Sequence, residues 1–166
     1  MSIGFSKQSR VGRELADQWS QLQNDRGARA ELRRCKSVDE VVMTVVFQRL
    51  CHRLRPAFEG QSNWEDRLAA IVGLLSHVEE ITTGGSLARQ MSMPEGGRPV
   101  VSELRFRRLL QRDRTELYTA LVRVLRMLKG KADIHDLAHA VFYWGNEIKK
   151  KWAYDYFPNV PEKKSA

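Results

Sequence analysis

Arginines are the residues of this chain whose type and spacing best suit a chemical task, the binding of a polyanion. Ten Lys and Arg residues lie between Arg98 and Lys131. A helix over 102–112 would place most of its arginines opposite its apolar face, and a helix over 113–129 would turn its arginines away from a buried apolar stripe. Guanidinium groups in a row on rigid helices, with few acids beside them, match a phosphate backbone. The arginines on these outer faces are Arg105, Arg108, Arg112, Arg123 and Arg126.

A second basic cluster ends the short helix predicted over 25–34, and part of it can complement the carbonyl groups of that helix terminus. A further arginine, Arg89, follows a Gly84–Gly85 turn, whose exposed backbone amides can also meet a phosphate. We therefore predict that both places contribute to nucleic-acid binding. The residues of the second cluster are Arg29, Arg33, Arg34 and Lys36.

The tryptophans indicate how a nucleic acid would be contacted. All four fall on apolar helix faces and are not interleaved with arginines, as stacking platforms for bases would be. We therefore expect contact through the phosphate backbone with little reading of bases. The four are Trp19, Trp64, Trp144 and Trp152.

Two histidines give the only pattern that resembles a metal site. His135 and His139 are four residues apart on a predicted helix, as in the HExxH zinc motif, but Asp136 stands where that motif has its glutamate. Both are predicted to face solvent, opposite the apolar stripe of their helix. The chain also has no GxSxG motif and no P-loop lysine. The sequence therefore predicts no catalytic residue, no metal and no cofactor, and hence no enzyme.

Composition sets the class of protein. The chain has 166 residues, is 42% hydrophobic and carries a net charge of +8, which suits one ordered domain or two small lobes. Cys35 and Cys51 are too few and too far apart for a CxxC motif and are predicted to be reduced thiols. No apolar stretch approaches the length of a membrane span. We expect a cytoplasmic protein with no membrane contact.

Nearly every segment has helical periodicity, so the predicted fold class is all-α. We expect an N-terminal helical lobe over 1–93, an antiparallel helical bundle over 100–157 and a flexible tail over 158–166, with the boundary at the loop 94–99. The two lobes together would form one domain. Caps are predicted at Ser37, Asn63, Asp113 and Asp133. The predicted helices cover about 10–23, 25–34, 38–54, 64–83, 86–93, 102–112, 113–129 and 133–152.

An ordered set of segments resembles one family, the small subunit of the CRISPR type I-E Cascade complex (the CasB family). Each segment is weakly specific alone, but their order and spacing extend from about residue 15 to residue 157. The stretch 38–63 departs most from the family pattern. The matching segments are Trp19-Ser20-x-Leu22, Ala28-x-Ala30-x-Leu32-Arg33-Arg34, Ser86-Leu87-Ala88-Arg89, Glu103–Arg105 leading into Asp113-Arg114-Thr115, a leucine-rich helix with Arg123, and Tyr143-Trp144-Gly145.

The resemblance implies a non-catalytic, all-helical subunit that occurs as a pair and assembles with the backbone and large subunits around the crRNA. It would stabilise the target strand and the displaced strand of the R-loop in antiviral defence, while base pairing reads the sequence. Among the basic positions it matches, Arg114 follows the cap residue Asp113 and can instead be structural. The matching positions are Arg33, Arg34, Arg89, Arg105, Arg114 and Arg123.

Three alternatives stay open at the level of sequence. A purely structural assembly subunit would use its arginines to bind acidic patches of neighbouring subunits. An independent DNA-binding regulator would bind duplex DNA as a symmetric dimer, although no helix-turn-helix pattern is evident. An enzyme based on His135 and His139 would contain stoichiometric metal.

Overall fold

The computed structural model describes residues 2–162, and it confirms the predicted all-α fold class. Short 3-10 helices, Arg55–Phe58 and Phe157–Asn159, extend two of the helices. The α-helices are α1 (Arg10–Asn24), α2 (Arg26–Arg34), α3 (Val38–Val42), α4 (Val45–Leu54), α5 (Trp64–Leu75), α6 (Leu87–Ser92), α7 (Glu103–Leu110), α8 (Arg114–Met127), α9 (Ile134–Phe142) and α10 (Asn146–Tyr156).

Four two-residue strands connect the helices. β1 (Glu80–Ile81) pairs in parallel with β4 (Lys131–Ala132), and thereby joins the segment after α5 to the end of α8. β2 (Pro94–Glu95) and β3 (Arg98–Pro99) form an antiparallel hairpin in the loop that was predicted as the lobe boundary.

Most predicted helix starts are confirmed by side-chain caps. The hydroxyl of Ser37 accepts a hydrogen bond from the Glu40 amide (3.3 Å), and Asp113 accepts one from the Glu116 amide (3.0 Å). Asp133 caps α9 through the amide of His135 (2.9 Å). Asn63 does precede α5, but the predicted side-chain cap is wrong. This residue adopts a left-handed conformation (φ 53°), and its side chain makes no capping hydrogen bond. The cap at Asp113 fixes where the arginine-bearing helix α8 begins.

The helix predicted over 38–54 is two helices, α3 and α4. The Thr44 hydroxyl donates to the Val41 carbonyl (2.8 Å) and accepts from the Phe47 amide (3.2 Å). Thr44 therefore ends one helix and caps the next, although the apolar spacing continues across it.

Two further helix boundaries differ from prediction. The helix predicted over 133–152 is interrupted after Phe142, where Gly145 has an extended backbone and precedes α10. Helix α5 ends at Leu75, well before the predicted break at Gly84–Gly85, and β1 lies between the two points. In both places the apolar spacing continues beyond the end of the helix, since Val78 and Trp144 are buried without being helical.

The apolar faces of the arginine-bearing helices are buried as predicted. On α7, Phe106 and Leu109 are buried, and on α8 the whole predicted stripe is buried. That stripe consists of Leu117, Leu121, Val124, Leu125 and Leu128. Three of the four tryptophans are buried, whereas Trp19 is half-buried and donates from Nε1 to the Val78 carbonyl (2.8 Å). The core therefore rigidly positions the helix faces that bear the basic residues.

The core also continues across the predicted lobe boundary. Helix α6 packs on α10, and α5 packs on α9. The division into lobes at 93 and 100 stays a prediction. The predicted tail, 158–166, begins within a 3-10 helix, and Asn159 donates to the Asp155 carbonyl (3.0 Å). Residues 163–166 of that tail lie outside the described residues.

Cys35 is half-buried and Cys51 is buried, and both are free thiols. Burial raises the pKa of each thiol. Within residues 2–162, the helices are all too short or too polar to cross a membrane.

At Gly73, helix α5 lies against side chains of α8 and α3. A Cβ atom built on Gly73 would lie 2.6 Å from the Tyr118 hydroxyl and 2.9 Å from a methyl group of Val41. We expect Gly73→Ala to lower the free energy of unfolding by about 1–3 kcal/mol, because a buried methyl group would force these helices apart. Urea denaturation measures this. Gly27→Ala is the control, since its nearest neighbour is 3.6 Å away, and it should not lower stability. Equal behaviour of the two variants would contradict the packing argument.

Candidate nucleic-acid interface

Helices α7 and α8 form a cleft with a volume of about 480 Å³. Its apolar floor includes Val101, Leu109 and Val124, which belong to the core. Its rim contains all five arginines that helical periodicity placed on the outer faces. We call this the basic cleft, and its arginines are Arg105, Arg108, Arg112, Arg123 and Arg126.

Few acids neutralise the basic cleft. Glu116 forms an ion pair with Arg112 (2.7 Å), whereas Glu103 pairs with Arg107 outside the cleft (2.9 Å). Among residues 2–162, no carboxylate lies within ion-pair distance of the other four arginines of the cleft, which are all exposed. Since surface ion pairs such as Arg112–Glu116 contribute little, an approaching anion meets a largely uncompensated positive field.

The second basic cluster adjoins the basic cleft. A second cavity of about 570 Å³ is lined by Arg33, Arg34 and Lys36 together with Arg123 and Arg126. Two arginines of α8 thus belong to both cavities, and the basic surface continues from α7 over α8 to the end of α2. This juxtaposition joins residues about ninety positions apart in the sequence, so no local pattern could have predicted it.

Arg29 has a different environment from the rest of its cluster. It is half-buried, and its Nε donates to the Ser76 carbonyl at 3.5 Å. This bond ties α2 to the end of α5. Arg29 therefore adds positive charge to this region while being half-buried. Arg33 and Arg34, in contrast, are exposed to solvent.

His77 also belongs to this surface, although no sequence pattern marks it. It lines the second cavity and also a third one, of about 350 Å³, next to Arg33, Arg126 and Lys129. Burial, followed by the positive charges of nearby arginines, lowers its pKa to about 4. The sequence offers only a lone histidine after an apolar helix, which carries no functional signal by itself.

Arg89 lies away from these cavities. It is exposed on α6, a six-residue helix that packs on α10. The Leu87 amide at the start of α6 donates to the Asp136 carboxylate (2.9 Å) and is therefore not free for a phosphate. Arg89 stays a predicted site residue, but the structure does not bring it together with the basic cleft.

Arg114 is half-buried, and its guanidinium binds the protein backbone. Its guanidinium donates to the carbonyls of Val141 (2.8 Å), Phe142 (3.1 Å) and Trp144 (3.1 Å), at the end of α9. Burial lowers the pKa of Arg114. Of the positions that the family resemblance marked as basic, this one therefore stabilises a helix terminus.

The two histidines of the metal-like pattern lie on α9, near the N-terminal segment. Nδ1 of His135 is 2.8 Å from the Phe5 carbonyl oxygen, and the half-buried His135 is not the free surface residue that was predicted. His139 is exposed, with its ring 5.1 Å from that of Tyr143. Within residues 2–162 no three His, Cys, Asp or Glu residues are grouped as a metal site would require.

Comparisons with known proteins identify the family of the chain. A model of the family described as CRISPR-associated protein Cse2 matches residues 28–157. A chain in the crystal structure of E. coli Cascade bound to a PAM-containing dsDNA target is 26% identical, with a TM-score of 0.69 over 89% of this chain and 94% of that one. CasB from Thermus thermophilus is 20% identical, with a TM-score of 0.62 over 89% and 97%. A search of curated proteins gives no match. Since the family model covers most of the chain, the protein belongs to the Cse2 (CasB) family of type I-E Cascade subunits.

Proposed function

We propose that this Cascade subunit is a non-catalytic nucleic-acid-binding protein that stabilises the R-loop of an RNA-guided CRISPR complex. The observation that carries the proposal is the convergence of five arginines, selected from sequence periodicity alone, in one cleft that adjoins a second basic cluster. The guanidinium groups of these arginines would contact phosphates of the target strand or the displaced strand. Base recognition would be left to the guide RNA.

The partners follow from the same proposal. They are the crRNA and target DNA, the backbone and large subunits, and a second copy of this chain. The similar chain of E. coli Cascade belongs to a complex bound to a double-stranded DNA target, which supports a position close to DNA. The absence of aromatic side chains from the lining of the basic cleft, within the described part of the chain, supports contact with the backbone rather than with bases.

A purely structural role in assembly is the second candidate, and an exposed apolar patch favours it. At the junction of α3 and α4, Met43 is 82% exposed and Val45 is 59% exposed. Exposed apolar side chains of this size are typical of contacts between proteins. Contact with another subunit through this patch is compatible with DNA binding. A Cascade subunit could also use this patch for assembly alone, without binding DNA.

The two functions are separated by the triple variant Arg105→Ala/Arg108→Ala/Arg123→Ala in the reassembled complex. We expect normal incorporation of the variant, weaker binding of target DNA and a weaker dependence of affinity on salt. If each arginine neutralises one phosphate of a single strand, the slope of log affinity against log salt falls by about 0.7 per arginine, or about 2 in all. Gel filtration measures incorporation, and binding titrations at several salt concentrations measure the slope.

The matched control removes the same charge elsewhere. Lys7→Ala/Arg49→Ala/Lys150→Ala changes three exposed cations that do not line the basic cleft. This variant should keep the salt slope of the wild type. If the triple arginine variant is no longer incorporated into the complex, the structural role is favoured instead. If the two variants have equal salt slopes of DNA binding, these arginines are excluded from the DNA interface.

A further inference from the structure

His77 follows α5, and its imidazole lines two adjoining cavities of about 350 and 570 Å³. Arg33 and Arg126 line both of them. The Nε2 atom of His77 is buried and has no hydrogen-bond partner within residues 2–162. A buried polar atom without a partner, next to two guanidinium groups, is unfavourable in the free protein. A bound anion would give the Nε2 atom a hydrogen-bond partner and would offset the charge of the two guanidinium groups.

The groups around His77 are mostly cationic. Arg29 and Arg33 face it from α2, and Arg126 with Lys129 from the end of α8. The acid in the smaller cavity is Glu79, which is exposed and forms a 3.6 Å ion pair with Arg33. The other titratable or charged residues that line the larger cavity are Arg34, Cys35, Lys36, Tyr118 and Arg123.

This environment opposes protonation of the imidazole. Burial and the charges of Arg33, Arg126 and Arg29 lower the pKa of His77 to about 4, so the ring is neutral at neutral pH. An anion between Arg33 and Arg126 would cancel much of the field that these guanidinium groups exert on the ring. Protonation and anion binding would therefore favour each other, as linkage requires.

We propose that Arg33, Arg126 and His77 form a binding site for one phosphate group, and that His77 takes up a proton when this phosphate binds. The proposal deepens the proposed function, on which it rests for the assignment of the phosphate to a nucleic-acid backbone. A negative charge within about 4–6 Å of an imidazole raises its pKa by about 1–3 units. A rise of about two units makes binding about fourfold tighter at pH 5.5 than at pH 7.5.

The direct test is an NMR titration of the histidine rings in the full chain. The pKa of His77 is measured in inorganic phosphate and in chloride at equal ionic strength, with exposed His52 as the internal control. We expect phosphate to raise the pKa of His77 by at least about one unit and to leave that of His52 unchanged. In Arg33→Ala/Arg126→Ala the response to phosphate should be lost. An unchanged pKa, or an equal rise for both histidines, overturns the proposal.

A second measurement relates the site to nucleic acid. In the reassembled complex, the fourfold gain in target affinity between pH 7.5 and 5.5 should be lost in His77→Gln and kept in His52→Gln. If phosphate raises the pKa of His77 but this gain is the same in all three proteins, the site binds free phosphate and its assignment to the nucleic-acid backbone is overturned. If the NMR response is present while the triple arginine variant keeps the wild-type salt slope, the proposed function fails and the phosphate site stands.

Discussion

Phe106→Ala is expected to lower the free energy of unfolding by about 3–5 kcal/mol and to weaken DNA binding as well. Phe106 is fully buried, and its ring stacks on that of Tyr156 at a centroid distance of 3.9 Å. Phe157 contacts it edge-on at 5.4 Å. Since α7 is attached to the core through this ring and Leu109, its loss would also release the arginines that α7 contributes to the basic cleft.

Urea denaturation followed by circular dichroism measures the stability, and target binding by the reassembled complex measures the second effect. Leu104→Ala on the same helix is the matched control, because Leu104 is 58% exposed. It should change stability by no more than about 0.5 kcal/mol. Similar losses in the two variants would show that the Phe106 ring does not anchor α7.

Arg114→Ala is expected to lower the free energy of unfolding by about 3 kcal/mol without changing the salt dependence of DNA binding. Removal of the guanidinium would leave the carbonyls of Val141, Phe142 and Trp144 without this donor at a partly buried helix end. Hydrogen bonds to charged groups contribute about 1.5–3 kcal/mol each, and their effects at one site do not add fully. Arg67, whose Nη1 lies 3.4 Å from the Phe142 carbonyl, would replace Arg114 only in part.

The control is Arg49→Ala, since Arg49 is exposed on α4. This variant should keep wild-type stability to within about 0.5 kcal/mol. The two measurements are urea denaturation and the salt slope of DNA binding in the reassembled complex. A stable Arg114 variant with a reduced salt slope would instead place Arg114 in the DNA interface, as the family resemblance alone implied.

Helical periodicity predicted the features that repeat every turn. The buried faces of α7 and α8 follow from the spacing of their apolar residues, and the outward direction of Arg105 and Arg123 follows from those faces. Periodicity failed where an element ends but the apolar spacing continues. At Thr44 a side-chain hydroxyl replaces helix hydrogen bonds, and at Gly145 the chain turns while Trp144 stays buried. Such ends depend on local bonds that an apolar pattern does not record.

The arginines of the candidate site were predictable from the sequence, but His77 and the way in which these residues come together were not. The spacing selected arginines within single helices, but contacts between distant segments decide which clusters meet. Arg33 and Arg126 line the same cavities although they are far apart in the chain, and His77 becomes significant only through them. The same holds for His135, whose partner is the carbonyl of Phe5. Tertiary contacts of this kind have no signature in one sequence.

Closing the chain between β1 and β4 is expected to be a late event in folding, on entropic grounds. The pairing of Ile81 with Ala132 encloses roughly fifty residues, including α6, α7 and α8, and closing such a loop costs about 3.5 kcal/mol before any contact is made. Helix α7 likewise depends on a distant contact, because its Phe106 ring stacks on Tyr156, about fifty residues further along the chain. The arginines of α7 and α8 therefore reach their final arrangement in the basic cleft only after these distant segments have met.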